Sequence, residues 1–191
     1  MTRLAARYPR VWHVIEADGA AASPGCLRPA SEFYGSGTNR DRYVTVELKG
    51  GGVAVLRPQL MSDHRLLPTL TGAFAGRADL WRRLIDSHVF FWATAARRDR
   101  FVAANRRLRT REDPAALPPV VLEFDTAALL ACHAAIAFYA TINTGSTVRG
   151  GAWVQRDENT FHAIAGYRSG PVAELAIRGR VSLDGLAVGR T

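Results

Sequence analysis

The chain has 191 residues, 48% hydrophobic and 22% charged, with a formal net charge of +8. That length suits one domain, 1–191, around one core, and no apolar run approaches the ~20 residues of a membrane helix, which sets membrane spanning aside. Cys26 and Cys132 are too few for a disulfide framework, and His13, His64, His88, His133 and His162 show neither H-x-x-x-H nor a Cys/His cluster, so no metal is expected.

The opening MTRLAARYPRVW has no apolar segment or small-residue cleavage site of a secretory signal, so a cytoplasmic protein is the expectation. YPRVWHVI, Tyr8 to Ile15, reads as a strand carrying Trp12 and His13, and Ala20 to Pro29 reads as a loop. VTVEL and VAVLR flank Lys49-Gly50-Gly51-Gly52 as a hairpin. Gly35-Ser36-Gly37 lacks the third glycine and the strand-to-helix setting of a dinucleotide fingerprint. Asp79 to Asp86 has the spacing of a short amphipathic helix, and VFFWAT follows as a strand. Alternation puts Phe90 and Trp92 on one face and Phe91 on the other, so one ring can border a pocket while another fills the core.

The net charge comes from 24 arginines and Lys49 alone, as much an arginine bias as a function, but it clusters in ARRDRFVAANRRLRTR. Phe101, Ala104 and Leu108 make one apolar face of a helix there, leaving the arginines as a solvated face or as a surface for phosphate backbones. VVLEFD is a strand, TAALLACHA is helical, and FYATINTGSTVRGGAW begins as a strand and runs into a Gly-rich loop. In that loop Asn143 to Thr147 gathers small hydrogen-bonding side chains round a glycine, which suits close approach to a ligand and also an ordinary turn. In the last strong strand, PVAELAI, Glu174 shares a face with Val172 and Ala176. It lies either on a solvent face or in a site, where a carboxylate can stabilise an oxocarbenium-like transition state. Strands and helices mix without a βαβ rhythm, which predicts an α+β fold with a mainly antiparallel sheet.

Taken in order, Y-P-R-V-W-H, V-A-V-L-R-P-Q, H-V-F-F-W-A-T, I-N-T-G-S-T, R-D-E-N-T-F and P-V-A-E-L-A-I resemble a family of uncharacterised bacterial proteins of about this length, nearly end to end. That family is distantly similar to the DarT-type toxins, which ADP-ribosylate bases in single-stranded DNA. The resemblance implies an ADP-ribosyltransferase-like split sheet and a transferase acting on NAD. It implies His13 and Trp12, the aromatics Phe90, Phe91 and Trp92, and Asn143, Ser146 and Thr147 as NAD-binding residues. Glu174 would be catalytic, with Arg57 as a catalytic or diphosphate-anchoring arginine and Arg65 as its rival. Arg28 to Asn39 would stand in for the toxins' longer NAD-binding loop. The acceptor is expected to be nucleic acid, held by Arg98, Arg106 and Arg107, with an antitoxin as a further partner. A non-catalytic nucleotide-binding module and a stand-alone NAD hydrolase are the alternatives.

Overall fold

A computed structural model describes residues 2–18, 25–35, 37–49, 52–59, 61–145, 148–149 and 152–190. In chain order the elements are α1 (Arg3–Arg7), β1 (Arg10–Ile15), β2 (Cys26–Leu27), β3 (Val44–Glu47), β4 (Val53–Leu56), α2 (Asp63–Leu66), α3 (Ala78–Asp86), β5 (His88–Trp92) and α4 (Ala95–Glu112). There follow β6 (Val120–Asp125), α5 (Thr126–His133), β7 (Ala137–Ala140), β8 (Val148–Arg149), β9 (Ala152–Trp153), β10 (His162–Ala163), β11 (Glu174–Arg178), β12 (Val181–Ser182) and β13 (Val188–Arg190).

One seven-stranded antiparallel sheet, ordered β10-β7-β11-β5-β1-β6-β13, forms the frame. The predicted hairpin is present as β3 paired with β4, from Val44 opposite Leu56 to Glu47 opposite Val53. α5 starts where predicted because the Asp125 side chain caps it, accepting from the Ala128 N–H at 2.9 Å.

Alternation sorts the strands between two cores. Val89, Phe91, Leu175 and Ile177 pack with Val11, Phe124, Leu129 and Leu130, from the face that α1 and α5 cover. Phe90, one residue out of step, packs instead with Trp81, Leu66 and Ile85 of α2 and α3. Glu174 lies opposite both Trp92 and Ala140, and only 3% of it is exposed, so the solvent-face alternative for this carboxylate is overturned. The strand is buried on both sides, a situation alternation alone cannot signal.

The sheet is not closed along its whole width. β1 pairs with β6 over all six of its residues, but its register with β5 is the single pair Trp12 opposite Trp92. Beyond that pair, His13 to Glu16 and Phe90 to His88 diverge as the two walls of a split.

α4 spans the predicted basic segment, with Phe101 and Leu108 half-buried on the expected face and a polar residue added to it. Phe101 does pack on Trp92, at 4.9 Å between centroids, and Ala104 is exposed. The most buried residue of the helix is the polar Asn105. Its inward side runs through Arg98, Phe101, Asn105, Leu108 and Arg109, so that polar residues flank the apolar ones where buried polar partners lie beneath the helix.

Candidate active site at the split in the sheet

The split opens into a cavity of ≈1090 Å³ whose walls include His13, Phe90, Trp92, Asn143, Thr144 and Glu174. By register His13 and Glu174 belong to opposite faces, since Glu174, Trp92 and Trp12 form one row across three strands and His13 is the next residue along. They line the same cavity because it runs through the gap between β1 and β5.

His13 is part of what holds that gap. A closed ladder would pair the backbone of Phe90 with β1; instead the His13 ring reaches across, its Nδ1 2.7 Å from the Phe90 carbonyl oxygen. A carbonyl only accepts, so Nδ1 donates and Nε2 is left as an acceptor in the neutral ring. Burial pushes the imidazole pKa down to about 4, against a smaller opposing effect of the Phe90 bond, with Arg57 nearby lowering it further. At neutral pH this histidine orients and accepts; it does not carry charge.

Glu174 is the opposite case. The Thr144 backbone N–H donates to its Oε1 at 3.0 Å and the Thr144 hydroxyl donates to the same oxygen. Burial raises the pKa to about 7, outweighing the lowering by those bonds and by Arg97 and Arg156. The group is poised between its acid and its carboxylate near neutrality, as reactive carboxyls often are.

The loop that presents Thr144 is itself braced. Asn143 Oδ1 accepts from the Gly145 N–H at 2.9 Å, closing a turn, and the Asn143 carbonyl accepts from Arg156 Nη2 at 3.5 Å. Arg156 is fully buried, donates through Nη1 to the Val154 carbonyl, and lies over Trp81 at 5.9 Å. Burial lowers its pKa to about 10, and Glu174 opposes that shift. Sequence reasoning missed Arg156, although it opens the R-D-E-N-T-F motif. Ser146 and Thr147 lie outside the described residues.

Of the aromatic triad, Phe90 and Trp92 border the cavity, whereas Phe91 has 0% exposure in the core. That answers the alternation argument and corrects the assignment of Phe91 to ligand binding. Trp12 is also displaced from that role: its Nε1 donates to Glu123 at 2.8 Å, the Arg98 guanidinium covers its ring at 4.9 Å, and it is absent from the cavity wall.

Arg57 lines the cavity but is committed elsewhere. Its Nε donates to Glu16 Oε1 at 2.7 Å, Nη2 donates to the Val14 carbonyl, and the guanidinium lies 5.0 Å from the Phe101 ring centroid. Glu16 also accepts from Asn105 Nδ2 at 2.8 Å, and Asn105 Oδ1 accepts from the Tyr43 hydroxyl at 2.6 Å. Arg57 thus matches a buried carboxylate and ties β4 to β1. Its rival Arg65 is exposed at the cavity wall, and Arg28 lines the segment beside Ala30 and Phe33.

On α4, Arg106 and Arg107 are exposed, as a polyanion-binding face requires. Arg98 is not equivalent to them: it covers Trp12 and pairs with Asp99 at 2.7 Å. Among the described residues no group of three or more His, Cys, Asp or Glu side chains could hold a metal ion, and no helix is long and apolar enough to cross a membrane.

Fold and site together define a mixed α/β protein in which a seven-stranded antiparallel sheet parts round a cavity holding a buried glutamate. The chain belongs to DUF7002, a family of unknown function whose model matches residues 9–183. No curated protein and no solved structure matches it.

Proposed function

We propose that this protein is an NAD-dependent ADP-ribosyltransferase with the corresponding split-sheet fold. The observation that carries the reading is Glu174: a buried carboxyl on a rigid central strand, gripped by Thr144 on one oxygen, in a cavity that also holds His13 and two aromatic rings. In the reaction the bond between the ribose C1 and the nicotinamide nitrogen breaks and its electron pair leaves with nicotinamide. Positive charge develops at C1, and an acceptor N–H or O–H nucleophile forms the new bond there and gives up its proton to solvent. Ionised Glu174 accepts a hydrogen bond from a ribose hydroxyl and stabilises that charge, an effect that is largest where water is excluded. His13 offers Nε2 as a fixed acceptor, Phe90 and Trp92 offer flat faces to the departing ring, and the exposed Arg65 suits the diphosphate better than Arg57, committed to Glu16, or Arg28, committed to Glu32 at 2.8 Å. The volume of ≈1090 Å³ is at the upper end for a small-ligand site and accommodates a dinucleotide.

Nucleic acid is the acceptor that the exposed Arg106 and Arg107 favour. The deciding experiment is nicotinamide release from NAD, with and without single-stranded DNA or RNA. Release that depends on an acceptor supports the transferase, and release without one supports hydrolysis. Absence of NAD binding by calorimetry would remove both.

A further inference from the structure

One wall of the cavity carries polar groups that the proposed chemistry at Glu174 does not use. Asp86, 2% exposed, accepts through Oδ1 from Arg40 Nη2 at 2.9 Å and from Gln59 Nε2 at 2.6 Å. Arg40, 6% exposed, also donates through Nε to the Arg57 carbonyl at 3.2 Å. After these bonds, Asp86 Oδ2, Gln59 Oε1 and Arg40 Nη1 are buried and have no hydrogen-bond partner among the described residues. An orphaned buried polar group costs ~1–3 kcal/mol, more when charged, so three on neighbouring side chains of one wall ask for an explanation. All three residues line the cavity. The Gln59 side chain is half-buried and held to Asp86 by one hydrogen bond, at the place where this wall meets the cavity.

The orientation of the amide is fixed by its neighbour, since the reverse would set its oxygen against the Asp86 carboxylate. The wall therefore offers two acceptors beside one donor. Its complement is a ligand edge with N–H donors next to an acceptor, which an amino-substituted nitrogen heterocycle provides. Met61, Ile85 and Phe90 line the cavity alongside, and apolar surface of that kind suits a flat ring better than a sugar.

We infer that Asp86, Gln59 and Arg40 form a recognition subsite for the amine-bearing edge of a nucleobase. The base comes either from the adenine of a dinucleotide or from a second, nucleotide substrate. The inference goes beyond the proposed transfer reaction and does not require it, because the subsite is read by binding alone.

The test is calorimetric titration of the full chain with nucleoside monophosphates that differ only in this edge: AMP and GMP against IMP, and CMP against UMP. At least one amine-bearing member binds 10-fold or more tighter than its counterpart lacking that amine, because the counterpart leaves a buried acceptor unpaired. Gln59→Met removes one acceptor at similar volume and brings that ratio down at least threefold. Asp86→Asn removes the charge, and should it unfold by stranding Arg40, the Gln59 variant and the unsubstituted chain still decide. Preference for AMP alone assigns the subsite to the cofactor base, and preference for GMP or CMP assigns it to a second substrate. Equal binding within every pair, equal binding of ribose 5-phosphate, no binding at all, or a ratio untouched by Gln59→Met overturns the inference.

Discussion

Two buried glutamates face the same cavity, and they are held in opposite ways. Glu16 meets a cation directly, Arg57 at 2.7 Å, with Asn105 at 2.8 Å on the same oxygen. Glu174 receives its described hydrogen bonds from the neutral N–H and hydroxyl of Thr144, and burial lifts its pKa to about 7. A buried charge matched by an ion pair is part of the scaffold, because removing either member strands the other. A buried carboxyl whose proton affinity is raised by burial more than Thr144, Arg97 and Arg156 lower it keeps a proton that a reaction can use. The difference separates structure from chemistry, and it can be broken by substitution.

The largest effect is expected for Glu174→Gln. The amide keeps volume and hydrogen bonding but not the negative charge, so nicotinamide release should fall on the order of 100-fold. The melting temperature should be unchanged or higher, since the cost of burying that charge disappears. A variant that melts normally and turns over within a few-fold of the parent would remove Glu174 from the mechanism. Glu16→Gln should behave in reverse, losing about 3 kcal/mol in denaturant titration because Arg57 is left without its carboxylate. A stability change below ~0.5 kcal/mol there would show that the pair is not structural.

His13→Phe comes next. It fills the ring's space but leaves the Phe90 carbonyl without its donor at the mouth of the split, which should cost about 1–2 kcal/mol and loosen hydrogen exchange along β5. Unchanged exchange at Phe90 and Phe91 would mean that the ring does not hold the strands. On α4, Arg106→Glu with Arg107→Glu should weaken single-stranded DNA binding and reduce its salt slope by about 1.5. Arg98→Glu is a poor companion to these two, since it uncovers Trp12 and disturbs folding. An unchanged slope returns Arg106 and Arg107 to the solvated face.

Elements with a strong local period were legible in the sequence: β6 matches VVLEFD residue for residue, and the β3–β4 hairpin and α4 agree to within a residue or so. The two-residue strands β2, β8, β9, β10 and β12 were not, because each exists only through its partner and has no period of its own. The candidate site divides the same way. Glu174 and His13 stand out as polar residues inside apolar strands, and Phe90 and Trp92 through the alternation of an aromatic run. Arg40, Gln59, Asp86, Asn105 and Arg156 do not: in sequence they are ordinary polar residues of loops and helices, and only long-range packing buries them. Asn105 is the clearest instance, since the apolar count of α4 marks Phe101, Ala104 and Leu108, which do line the cavity, and passes over the polar residue beside them that is the most buried of the helix.

The smallest effect is the parent's own pH dependence, where Glu174 and His13 oppose one another. Glu174 has its pKa raised from 4.5 to about 7 in the fold, so the native state binds the extra proton. Its contribution is fully present below 4.5 and is lost as pH rises through about 7. His13 is lowered from 6.5 to about 4, so the unfolded chain binds the extra proton there. Its contribution is present above 6.5 and is lost as pH falls through about 4. Between about 4.5 and 6.5 the two slopes have opposite sign and largely cancel, and these residues leave the parent protein's stability nearly flat across that window. Glu174→Gln removes one slope only. The variant's stability should therefore climb with pH from about 4 to 6.5 on the account of His13. Its advantage over the parent should grow from pH 5 to a plateau above pH 7. Denaturant titrations of both proteins at pH 5, 6, 7 and 8 measure this directly. An advantage that is the same at every pH would mean that Glu174 is not protonated in the folded protein near neutrality, and that the contrast with Glu16 lies in geometry rather than in charge.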